Sequence, residues 1–350
     1  MKQLRFGITL VLTLTMLAGW APCAAQDTEE GLTDEIPLTA KSAGAPPPAG
    51  GPATFRAGDG HEIPIQRDWS TEEDPTRYES MALDQQPFRF DQRQPSHVYT
   101  EQRPGQQPLY YFKDVRWYQS DRAEGAKFGR KAFFTTVRVD LEKVKAAWFC
   151  MKPFAPKFVA GHAALLLEFE PGGFVNLDGQ ESPGFVLSYE AYLKASQRYG
   201  MIGGQFSRKF RIVYVVSTWH DFLVRSIRFN GSIVKRWKLS LDKTQLQHLS
   251  VAIGKVVLAD HSAERYNTTR ASCVTAALEL AMSILPPERR SPEKWLWGLI
   301  QNPGWALPVF ADNVLRNKGL IRDPKETIKE VPMVSGATAA APNPADIRLR

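Results

Sequence analysis

Cys273 stands where the polar stretch Tyr266-Asn-Thr-Thr-Arg-Ala-Ser272 enters the apolar segment Val274–Leu285. A thiol at the start of a helix feels the positive end of the helix dipole, which favours thiolate, the nucleophilic form. His162 follows Ala160-Gly161 and opens the apolar run Ala163–Phe169. A histidine at a strand edge can reach a facing thiol and act as base or ion-pair partner. Glu190, just after Leu187-Ser-Tyr189, has the chemistry to orient an imidazole or bind a cation. Each residue also has a plainer reading. Cys273 can be a buried inert thiol or half of a disulfide with Cys150. His162 can be a turn residue, and Glu190 a carboxylate at a helix N-terminus. His220 and Asp221, in Thr218-Trp-His-Asp221, are further groups able to orient an imidazole. His248 and His261 read as surface residues, and His61 and His97 fall in a polar arm.

The elements that must position these residues are strands first and helices late, an α+β pattern. Leu109–Tyr118, Phe133–Asp140, Val144–Phe149, Ala163–Phe169, Gly184–Ser188, Phe210–Ser217 and Asp221–Phe229 read as strands. Pro171-Gly-Gly173 between Ala163–Phe169 and Phe174–Leu177 is a hairpin signal. Tyr189–Tyr199 reads as a short helix. Leu246, Leu249 and Ile253 recur at helical spacing within Leu241–Leu258. Val274–Leu285 is a helix stopped by Pro286-Pro287, and Ser291–Ile300, with Trp295 and Trp297, reads as another. Residues 26–107 are rich in Pro, Gly and Gln and show no sustained period, so they read as a loosely ordered arm or linker. Tyr78, Phe88, Phe90 and Tyr99 within it favour partial wrapping on the body. The folded domain spans 108–325, and 326–350 reads as a disordered tail.

Met1–Ala25 has the charged start, short apolar middle and small-residue end of a cleaved secretory signal. Its loss removes Lys2 and Arg5 and lowers the formal charge from +7 to +5. Cys23 invites a lipoprotein anchor, but Pro22 directly before it fits a lipobox poorly. The expected compartment is a bacterial periplasm, and two cysteines remain in the mature chain. No internal run reaches the roughly 20 apolar residues of a membrane span. The chain carries no P-loop, Gly-x-Gly-x-x-Gly, Gly-x-Ser-x-Gly, His-Glu-x-x-His or paired-cysteine zinc spacing, so no cofactor or metal is expected. A basic stretch runs from Arg208 through Arg211, Arg225, Arg228, Lys235, Arg236 and Lys238. It is either a solvated face or a surface for anionic lipid headgroups. Nucleic acid is not an expected partner for a secreted chain of this charge.

Four blocks in order carry a family resemblance: Gly161-His-Ala-Ala-Leu-Leu-Leu-Glu-Phe169, Val186-Leu-Ser-Tyr-Glu190, Arg211–Arg225 and Tyr266-Asn-Thr-Thr-Arg-Ala-Ser-Cys-Val-Thr275. Together, over about Ala132 to Leu285, the chain resembles the lipoprotein N-acyltransferase (Lnb) N-terminal periplasmic domain family. The resemblance implies a permuted papain-like, NlpC-like fold, histidine before cysteine, similar to lecithin:retinol acyltransferase relatives. That fold would place an antiparallel sheet against a cysteine-bearing helix. His162 matches the family's histidine, Cys273 its cysteine and Glu190 a recurring acidic position. Ser272 stands where the family usually has asparagine, and His220 where an acidic residue is expected. The function implied is a periplasmic Cys/His thiol acyltransferase or lipid/amide hydrolase, working through an acyl-thioester on Cys273 at a membrane surface, on lipoprotein or phospholipid. A non-enzymatic envelope protein with a Cys150–Cys273 disulfide and a cell-wall peptide amidase are the alternatives.

Overall fold

The computed structural model describes residues 53–332, except 73–75, 121–129, 155–159, 198–209, 268–270 and 291–307. The signal segment, the Ser291–Ile300 helix and most of the tail lie outside the described residues. In chain order the strands and helices are β1 (Thr54–Arg56), β2 (Glu62–Pro64), β3 (Arg67–Thr71), α1 (Thr76–Glu79), β4 (Ser96–Glu101), β5 (Leu109–Ser120), β6 (Lys131–Asp140), β7 (Val144–Pro153), β8 (Gly161–Phe169), β9 (Phe174–Asn176), β10 (Gly184–Tyr192) and β11 (Arg211–Thr218). There follow α2 (Trp219–Leu223), which continues as a π-helical turn (Val224–Phe229), β12 (Val234–Lys238), α3 (Lys243–Leu258), α4 (Cys273–Met282), α5 (Ala311–Asn317) and β13 (Glu326–Ile328).

Eleven of these strands form one sheet in the order β13-β12-β7-β8-β10-β11-β5-β6-β3, with β4 on β5 and β9 on β6. All its pairings are antiparallel except the short β11–β5 contact, Ser217 opposite Arg116. A mostly antiparallel sheet with few helices is the α+β class expected.

Alternation along the strands gives the sheet two apolar faces. Ala163, Leu165, Leu167, Phe185, Leu187, Tyr189, Tyr214 and Val216 point to one face and pack with Leu249 and Ile253 of α3 and Cys273 and Leu278 of α4. Trp148, Cys150, Ala164, Leu166 and Val186 point to the other, under Phe222 and Leu223 of α2. At roughly 1.5–3 kcal/mol for each large apolar side chain removed from water, these two layers dominate the stability of the sheet.

Several expectations are corrected. Residues 189–192 continue β10, because Phe185, Leu187, Tyr189 and Ala191 keep one strict alternation onto the larger core. Asp221–Phe229 is helical, since the Thr218 side chain accepts from the Asp221 amide and caps the start. Pro171-Gly-Gly173 does turn, with Gly172 at φ 73°. However, β9 leaves β8 and pairs with β6, Val137 opposite Asn176, so no hairpin forms. Glu326–Ile328, expected as tail, pairs with β12.

The described residues of the arm, from Ala53 on, pack against the body. The arm is held by β3 on β6, by β4 on β5, by a small apolar cluster around Ile63 and Tyr111, and by glutamine side chains. Gln92 donates to Glu190 at 2.9 Å and to the Ala191 carbonyl at 3.0 Å, and accepts from the Leu193 amide. Gln94 accepts from the Tyr214 amide and donates to the Val257 carbonyl. A segment anchored this way shows no hydrophobic period, which is why it reads as loose.

Candidate active site

Cys273 is the first residue of α4. Ser272 caps that helix: its hydroxyl accepts from the Thr275 amide, while the Thr275 hydroxyl accepts from the Ser272 amide at 2.7 Å. Ser272 therefore serves the helix start as a reciprocal cap. The thiol is buried on the larger core face. Burial pushes it above the ordinary thiol range, against opposing hydrogen bonds from the Ala163 amide, the Tyr266 hydroxyl and the Val274 amide. The Tyr266 hydroxyl also accepts from the Cys273 amide at 3.4 Å. The sulfur thus lies against the peptide that joins His162 to Ala163, beside a small apolar hollow lined by Leu165, Leu187, Tyr189, Tyr214, Ala277 and Leu280.

His162 and Glu190 are brought together, on the opposite side of the sheet. The register puts Lys152 opposite His162 and Cys150 opposite Ala164, so His162 shares the face of Cys150. The His162 Nε2 lies 2.6 Å from Ser188 Oγ, and that hydroxyl donates to Glu190 Oε1 at 2.8 Å. With its one proton on Glu190, Ser188 accepts, so His162 carries its proton on Nε2. Among the described residues no hydrogen bond joins the imidazole to Cys273. Burial outweighs the upward pull of Glu190 and, with smaller contributions from Lys152 and Arg225, holds the His162 pKa down to about 4, so the ring is neutral at pH 7. For Glu190 burial acts upward, but Arg225, His162, Gln92 and Ser188 together hold it well below the usual carboxylate range.

Arg116 and Asp221, both fully buried, extend this row of polar groups at 3.0 Å. Arg225 bonds the same carboxylate at 3.0 Å and reaches Glu190 at 3.8 Å. Asp91 of the arm adds a third carboxylate, against Arg116 at 3.5 Å and Arg89 at 3.1 Å. Such a network is costly to bury unless all its members are paired, and removing one member leaves a stranded charge. Arg116, Lys152, Ser188, Asp91 and Gln92 carry no signal in sequence beyond a polar residue inside an apolar strand or arm. Asp221, an orienting candidate, binds arginines. His220 stacks on Tyr118 outside the network.

Cys150 and Cys273 are both free thiols, in cores on opposite faces of the sheet, which overturns the disulfide alternative. His261, expected at the surface, is buried between the Val256 carbonyl at 2.7 Å and Glu264 at 2.6 Å. Within the basic stretch, Arg225 lies in the buried row, and Arg236 pairs with Glu168 and Glu326. No helix among the described residues is long and apolar enough to cross a membrane.

These features define an α+β protein with a thiol at a helix start, packed against a strand that opens with a histidine. Residues 131–297 match the family model of the Lnb N-terminal periplasmic domain, the family that the four sequence blocks resemble. No curated protein and no solved structure matches the chain.

Proposed function

We propose that the chain is a periplasmic, Lnb-like thiol protein of permuted papain-like order that forms an acyl-thioester on Cys273, with a lipid ester as acyl donor. The observation that carries this reading is the sulfur at the first position of α4, facing the Ala163 amide and the Tyr266 hydroxyl. The same two donors suit an oxyanion that forms beside the sulfur. The thiolate attacks the ester carbonyl, a C–S bond forms, and the C–O bond breaks. The departing alcohol takes a proton. An amine or water then attacks the thioester, the C–S bond breaks, and the thiol recovers its proton.

In the arrangement described the thiol is protonated and His162 is held by Ser188. Activation therefore requires the imidazole to leave Ser188 and turn to the sulfur, which lies one peptide away. The ring then takes the thiol proton on Nδ1 and gives it to the departing alcohol, after which the ring can return to Ser188. The protonated thiol and the turned ring favour a second reading, a non-enzymatic envelope protein of the same fold.

The test is intact-mass analysis of the chain after incubation with lipid vesicles. A fatty-acyl adduct that neutral hydroxylamine removes, absent in Cys273→Ala and reduced in His162→Ala, is the expected result. No adduct on the wild-type chain, or an unchanged adduct in Cys273→Ala, overturns the reading in favour of the second.

A further inference from the structure

Lys152, His162 and Glu190 lie in a row at the ends of three adjacent strands, on the face away from Cys273. Arg225 closes the row from the π-helical turn. The side chains of His162, Glu190 and Arg225 keep 18%, 17% and 14% of their surface exposed, and Lys152 is half-buried, so solutes can reach the row.

Among the described residues the charges in this recess do not balance. Arg89, Arg116, Arg225 and Lys152 face three carboxylates, Asp91, Asp221 and Glu190. Asp221 is shared by Arg116 and Arg225. Asp91 is shared by Arg89 and Arg116. Glu190 is taken up by Ser188, Gln92 and Arg225. The Lys152 ammonium is left with no hydrogen bond or ion pair among the described residues, while the Lys152 backbone pairs with His162. An ammonium on one side of the His162–Glu190 pair and the Arg225 guanidinium on the other, with the ammonium lacking a carboxylate of its own, is an electrostatic demand for an added negative group. A compact ammonium and a guanidinium flanking one imidazole suit a phosphate, whose several oxygens can bond to both.

We propose that Lys152 and Arg225, beside the His162 ring, form a binding site for a phosphate group. Its cations lie on the side of the sheet away from the Cys273 sulfur, and it shares with the thiol only the His162 ring.

The experiment is reductive methylation of the full mature chain at pH 8, with each lysine quantified by peptide mass spectrometry. Lys145 and Lys238, both exposed, serve as internal controls. Inorganic phosphate should slow methylation of Lys152 alone, about tenfold at ten times the half-protecting concentration, by mass action. Protection should persist in Cys273→Ala, so failure of the thioester reading does not touch it. Protection by phosphatidylglycerol vesicles where inorganic phosphate gives none assigns the phosphate to a lipid headgroup. Equal protection by acetate overturns the phosphate assignment, and equal protection of all three lysines overturns the site. In a second measurement phosphate should raise the unfolding midpoint of the wild type and of Lys152→Arg, and not of Lys152→Gln. A rise of the same size in Lys152→Gln also overturns the proposal.

Discussion

An unpaired lysine in a half-buried row should cost the fold stability, and Lys152→Met measures how much. Burial first, then the Arg225 charge, press the Lys152 amine from 10.5 down to about 8, against a partial pull from Glu190. One pKa unit is worth about 1.4 kcal/mol. The shift therefore corresponds to about 3 kcal/mol, an upper figure because the side chain keeps contact with water. The folded pKa is the lower one, so between about pH 8 and 10.5 the unfolded chain holds more protons and stability rises with pH. Below pH 8 both states are protonated and the whole cost is present. Methionine keeps the length and flexibility and drops the charge. At pH 7 in chloride buffer Lys152→Met should be about 1–3 kcal/mol more stable by urea unfolding, with an unchanged slope. At pH 10.5 most of that advantage should be gone. A variant less stable than wild type at pH 7, or an advantage that does not change with pH, would mean that the ammonium is already compensated in solution, and the reasoning from charge imbalance fails.

Other consequences follow from the same geometry. Asp221→Asn leaves Arg116 and Arg225 facing a neutral amide in a buried row and should cost about 3–5 kcal/mol in urea unfolding; a loss under about 1 kcal/mol would show that the arginines find other partners. His162 is neutral in the fold, with its pKa held at about 4 against an ordinary 6.5. As pH falls through that window the unfolded chain takes up the proton first, so the fold should lose about 3 kcal/mol by pH 4. His162→Gln should remove that component of the pH profile in thermal unfolding, and an unchanged profile would assign the loss elsewhere. Cys150 lies mid-strand and is fully buried, so iodoacetamide should label Cys273 first in the native chain; equal rates would show that the helix start confers no advantage.

The parts of the fold that were legible in the sequence are those whose apolar residues keep one period. Val137 and Val139 mark β6, Leu165 and Leu167 mark β8, and Leu246, Leu249 and Ile253 mark α3. The end of β10 was hidden by Glu190-Ala-Tyr-Leu-Lys-Ala195, which has helix-forming composition but keeps strand alternation through Ala191. The arm was hidden for the opposite reason, since glutamines that bond across 90 or more residues of chain leave no local pattern. At the site, residue type was legible and sidedness was not. Cys273, His162 and Glu190 all stand out by chemistry. Which of two adjacent strand residues meets the α4 sulfur depends on the face α4 lies on, and that is decided by packing across the whole sheet.

Gly161 shows how tightly the two faces are coupled at this point. A Cβ there would lie 3.0 Å from the Met151 sulfur, 3.1 Å from the Lys152 carbonyl and 3.3 Å from Pro308. The strand end is thus held against β7 by the lack of a side chain. The residue after it turns its ring to Ser188, and the next amide points to the Cys273 sulfur. One peptide therefore serves the thiol on one side and the Lys152–His162–Glu190 row on the other. Any movement that brings the imidazole round to the sulfur must also break its bond to Ser188, and so alter the charge balance next to Lys152. A phosphate group bound at Lys152 and Arg225 would sit beside that same ring. The thiol and the basic row are in this way linked through His162, although they face opposite sides of the sheet.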